Sequence, residues 1–168
     1  MSQSPTTEHL LAQFHRTNLS EEDFTEAKKY LMCFEQKLID SEIIKRALLF
    51  AAIVSYARPF LVNESDPKAV RQLPINENQI LSEDELEFHN RIISLRNQAL
   101  AHSQYTRKPV NWSNGSENGF SCRASSFDLL SENTDKEQFL LLCRKLKMYC
   151  MRKQFELNKK ILRTLDAS

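Results

Sequence analysis

Only two glycines, Gly115 and Gly119, occur in the chain of 168 residues, and both stand in one short polar stretch. Glycine supplies the positive φ that most tight turns require. A fold built from many hairpins would therefore lack its turn residue nearly everywhere. Long helices need few such positions, and the five prolines are equally sparse. The fold class that follows is all-α. The length suits one domain with a substantial core, and 41% hydrophobic and 27% charged residues are ordinary for a globular chain.

The helices can be placed from their starts and their apolar spacing. Ser20-Glu21-Glu22-Asp23 reads as a cap with acids in the following turn, leading into Phe24, Ala27, Tyr30, Leu31, Phe34 and Leu38. A short helix near Thr7–Phe14 precedes it. Asp40 or Ser41 caps a second helix with a broad apolar face from Ile43 to Tyr56, which Pro59 ends or bends. Ser82-Glu83-Asp84-Glu85 is a capping box opening a third helix through Leu100. Thr134-Asp135-Lys136-Glu137 is another, opening a last helix to about Leu165. The spacing predicts an up-and-down bundle of four to five helices, residues 1–168 forming one domain. Residues 1–19 read as an N-terminal extension and 104–133 as a surface excursion, within which Asn114-Gly115 can turn a small hairpin.

Other function classes are narrowed by composition. No apolar run approaches the roughly 20 residues of a membrane span, and the first residues lack the plan of a signal peptide. The expected address is the cytoplasm, with no membrane partner. Cys33, Cys122, Cys143 and Cys150 show no metal-binding spacing, so no metal and no cofactor is expected. Cys143 and Cys150 lie two helical turns, about 10 Å, apart and read as buried thiols. The net charge of +1 hides an asymmetry. Between residues 143 and 163, Arg144, Lys145, Lys147, Arg152, Lys153, Lys159, Lys160 and Arg163 face Glu156 alone. Such a helix is either a solvated face or a surface that attracts phosphate.

The segment with chemical content is Arg96-Asn97-Gln98-Ala99-Leu100-Ala101-His102, at the end of the third helix. Arg offers a planar, always-charged fork for a phosphate, and His exchanges protons near neutral pH. Six positions apart on one helix, the two side chains diverge by about 120° and are displaced by about 9 Å. One helix does not readily aim both at one phosphate. Two copies about a two-fold axis would pool two Arg and two His in one cleft. That set suits RNA cleavage without metal: the ribose 2′-OH attacks phosphorus, Arg stabilises the anionic transition state and His moves protons.

Arg96-Asn97 followed by Ala101-His102-Ser103 resembles the R-x(4–6)-H motif of HEPN domains. The flanking pattern Glu85-Leu86, His89, Ile92, Leu95 and the helix end Tyr56-Ala57-Arg58-Pro59-Phe60 resemble the abortive-infection branch of that superfamily. The resemblance implies a HEPN-like bundle and homodimerisation along the motif helices. It also implies metal-independent endoribonuclease activity in toxin–antitoxin or phage-defence settings, with RNA as substrate and an antitoxin as partner. Arg96 and His102 would be the catalytic pair, and Asn97 would orient one of them or the phosphate. A non-catalytic HEPN-like module that binds RNA or protein is the alternative. Among supporting residues, His89 either holds the guanidinium of Arg96 and lines the cleft or is a satisfied structural histidine. Arg58 is either a second phosphate ligand or a helix-end ion pair. Ser103, Arg107 and Lys108 would extend the polar, positive rim.

Overall fold

The computed structural model describes residues 6–36, 40–62, 69–100, 110–114, 120–124, 129–132 and 134–166. They form an all-α bundle of α1 (Thr7–Phe34), α2 (Glu42–Ala57), the single turn α3 (Glu77–Ile80), α4 (Glu83–Leu100) and α5 (Lys136–Asp166). A two-stranded antiparallel sheet, β1 (Val110–Asn114) and β2 (Phe120–Ala124), interrupts the helices, with Trp112 opposite Cys122 and Asn114 opposite Phe120. The hairpin expected around Asn114-Gly115 is thus present in its paired strands, while its turn lies outside the described residues.

Contacts along the helices fix their directions. Glu26 meets Ser55 and Asp23 meets Arg58, so α1 and α2 run antiparallel. Lys136 sits over the Phe34 ring, Glu21 pairs with Lys147, and Leu10 packs with Leu157 and Ile161, so α1 and α5 also oppose each other. Glu85 pairs with Lys145 and the Phe88 ring meets that of Phe139, which makes α4 antiparallel to α5. The result is the expected up-and-down order. Its core is aromatic at the centre, where Phe24, Tyr56, Phe60 and Phe139 meet around Ile53, Ile92 and Leu146.

Two helix starts differ from the sequence expectation. Thr6 caps α1 by accepting from the His9 amide, and the helix then continues through Ser20 without a break. The buried Ser20 hydroxyl donates to the Arg16 carbonyl, 2.8 Å away, and Thr17 does the same to Gln13. A hydroxyl satisfied by the carbonyl one turn back no longer acts as a cap. The short helix near Thr7–Phe14 and the helix expected from Ser20 are therefore one element, and residues 7–19 are its first half. At α5 the cap is Asp135, whose Oδ1 accepts from the Gln138 amide, one residue later than the expected Thr134. Thr134 is instead buried, and its hydroxyl has no partner.

The remaining starts follow the sequence. Ser82 and Glu85 form a reciprocal capping box at α4, and Ser41 precedes α2. Pro59 ends α2 by converting it to a 3-10 turn at Arg58–Phe60. The connection that follows is tied down: the Leu73 amide donates to Pro59, Gln72 to Phe60, and the Tyr149 hydroxyl to Pro74. Cys143 and Cys150 are buried free thiols, and burial pushes both up to about 12. No helix among the described residues is long and apolar enough to cross a membrane.

Candidate functional site

The capping box and the acids Glu83, Asp84 and Glu85 secure the positive end of α4. From there Phe88, His89, Ile92 and Leu95 turn inward at helical spacing, all buried. Arg96 follows seven positions after His89, about 10 Å further along the axis. The two ends of this face differ in what surrounds them.

His89 is only 4% exposed, and its Nδ1 lies 2.7 Å from the Tyr56 hydroxyl. The Phe60 and Tyr56 rings meet it edge-on, with centroids 4.5 and 5.8 Å away. Burial lowers the imidazole's proton affinity and raises the phenol far above its ordinary value. Both groups are therefore neutral at pH 7, joined by one short hydrogen bond. His89 belongs to the core through Tyr56, and its hydrogen bond is made there rather than to Arg96.

Arg96 is half-buried on the last turns of α4. Its Nη1 donates to Asn97 Oδ1 at 3.1 Å, which holds one arm of the guanidinium fork. Its Nε is enclosed and has no hydrogen-bond partner among the described residues. An unmet donor on a permanent cation is a group that an oxyanion would satisfy. Because α2 and α4 run antiparallel and are pinned at Tyr56 and His89, the level of Arg96 corresponds to the middle of α2, near the buried Leu49. About 8 Å further toward the start of α2, Ile43 and Ile44 are 79% and 49% exposed. An apolar surface thus stands at the same end of the bundle as the arginine. His102, Ser103, Arg107 and Lys108 lie outside the described residues.

Arg58 sits elsewhere, at the α2 terminus, where Nη1 reaches Asp23 at 3.1 Å and Glu26 at 2.9 Å. Arg16 donates to the Arg58 carbonyl. The Ser55 hydroxyl and burial act in opposite directions on Glu26, and hydrogen bonds from Ser55, Tyr30 and Arg58 hold it below the usual carboxylate range. Burial raises Asp23 in spite of Arg58. These charges line an open groove of about 650 Å³ together with Arg16, Lys29 and Lys147. The pairing across the groove had no local signal in the sequence, since Asp23 and Glu26 are more than 30 positions from Arg58. Its charges largely answer one another.

Comparison with protein-family models, with curated proteins and with solved structures finds no match to this chain.

Proposed function

We propose that this chain is a HEPN-type, metal-independent endoribonuclease acting as a homodimer, a cytoplasmic toxin or phage-defence component held in check by an antitoxin. The observation that carries this reading is Arg96: a guanidinium aligned by Asn97, with an enclosed and unpartnered Nε, at the end of α4. The exposed Ile43 and Ile44 at the same end offer apolar area for a second copy. In the reaction, the RNA 2′-oxygen bonds to the adjacent phosphorus as the bond to the 5′-oxygen breaks, leaving a cyclic phosphate and a free hydroxyl. Arg96 stabilises the charge that builds on the phosphorane oxygens, and His102 takes and returns the proton.

The test is incubation of purified protein with RNA in EDTA. Cleavage persists under chelation and falls by about 10²–10³-fold in both Arg96→Ala and His102→Ala, with RNA binding retained. The Arg96→Ala melting free energy stays within about 0.5 kcal/mol of the parent, as for a surface change. Wild-type protein that binds RNA without cutting it supports the non-catalytic binding module instead. A monomer at micromolar concentration removes the shared cleft.

A further inference from the structure

The outer face of α5 carries a second pattern that the bundle does not use. The inner face is spent on the core through Phe139, Leu142, Leu146, Cys150, Leu157 and Ile161. On the opposite side Leu141, Met148, Phe155 and Leu162 recur every seven residues, and they are 60%, 48%, 62% and 53% exposed. Met151 and Leu165, exposed as well, stand three positions after Met148 and Leu162. Four apolar residues at this spacing form a seam about 32 Å long on one rigid helix.

The seam is edged with positive charge. Arg144, Arg152, Lys159 and Arg163 are exposed along it, against the carboxylates Glu156 and Asp166. Arg144, Arg152 and Arg163 have no carboxylate partner among the described residues. Lys159 rests its ammonium 4.2 Å from the Phe155 ring centroid, so cation and seam are in direct contact. Arg152 and Lys159 each follow a seam residue by four, one turn on and to the same side, where a packed helix places the residues that pair across an interface.

We propose that this face docks an amphipathic helix of another protein whose apolar seam is flanked by Asp and Glu. The seven-residue recurrence matches the side-chain geometry of a packed helix. The charge selects an acidic one. A second copy of α5 laid antiparallel about Phe155 would set Arg152 of one copy against Lys159 of the other, which is repulsive. A helix lying in a lipid surface presents a broad apolar face, and here Leu141, Met148, Phe155 and Leu162 form the narrow line of a packed helix. This surface is independent of Arg96 and of the ribonuclease reading.

The experiment uses the full chain and two labelled synthetic helices of four heptads, both with Leu on the seam, one flanked by Glu and the other by Lys. Fluorescence anisotropy reads binding. The Glu-flanked helix binds at least about tenfold more tightly than the Lys-flanked one, and added salt weakens it. The double change Met148→Ser with Phe155→Ser removes that binding at an unchanged melting temperature. Leu141→Ser gives a second, independent loss should the double variant fold poorly. Equal binding of both helices, or binding indifferent to these serines, overturns the proposal. So does Phe155-dependent binding of phosphatidylserine vesicles or oligouridine in place of the acidic helix, or self-association of the protein that Phe155→Ser abolishes.

Discussion

His89 and Arg96 lie seven positions apart on α4 and, about 20° apart around its axis, occupy almost the same stripe. The first is sealed among Tyr56, Phe60 and the core, its one short hydrogen bond complete. The second keeps a guanidinium whose hydrogen-bond partner among the described residues is its own neighbour. Helical periodicity is identical at the two positions, so periodicity did not decide their fates. The rings of Tyr56 and Phe60 reach His89, whereas Arg96 lies two turns further along, toward the end of the bundle at which Ile43 and Ile44 are exposed. One helix face is therefore structural at one end and available for chemistry at the other.

The contrast can be broken most forcefully from the buried side. Ile92→Ala removes a fully buried side chain between the two positions and costs about 2–5 kcal/mol of stability, measured by denaturant unfolding. A loss as small as that of Arg96→Ala would mean that the inward face is not packed as described. Tyr56→Phe is milder, about 1–3 kcal/mol, because it leaves the buried Nδ1 of His89 without its hydrogen-bond partner. The same pair sets an acid limit. The folded protein holds His89 below its ordinary value of 6.5, so as pH falls below that value the unfolded chain takes up the proton first. Stability therefore declines with acidification just under pH 6.5, and melting temperatures followed down to about pH 5.5, above the carboxylate range, should show the decline in the parent and not in His89→Gln. The smallest effect belongs to the helix start. Ser82→Ala, which removes one half of the capping box, costs about 1 kcal/mol in the same unfolding assay.

Much of this architecture was readable locally, and the reasons for the exceptions are physical. The α4 box needs only Ser82 and Glu85, three residues apart, and the end of α2 needs only Pro59. Ser20 misled because its sequence context is that of a cap, while its hydroxyl is occupied by Arg16 one turn earlier and its side is buried. Thr134 misled by one position, since Asp135 accepts from the first turn in its place. The Arg96–Asn97 contact is between neighbours and could be anticipated. The partnership of His89 with Tyr56, and of Arg58 with Asp23 and Glu26, joins residues more than 30 positions apart and exists only once the helices pack. For both, the sequence left two roles open and tertiary contact supplied the partner.

The two longest helices also reach beyond the main core. Leu10, Leu157 and Ile161, with Phe14 against them, form a small apolar cluster of their own that joins α1 to α5. Local stability follows the number of buried contacts that an opening must disrupt. Along α1 and α5 it should therefore fall from the aromatic centre toward this pair of ends, and hydrogen exchange is expected to be faster for amides there than for those near Phe24 and Phe139. The seam on α5 runs across that gradient, from Leu141 over the stable body to Leu162 on the pliant end. A bound helix would clamp the two together, so its affinity and the slowing of exchange around Leu157 and Ile161 are two readings of one free energy.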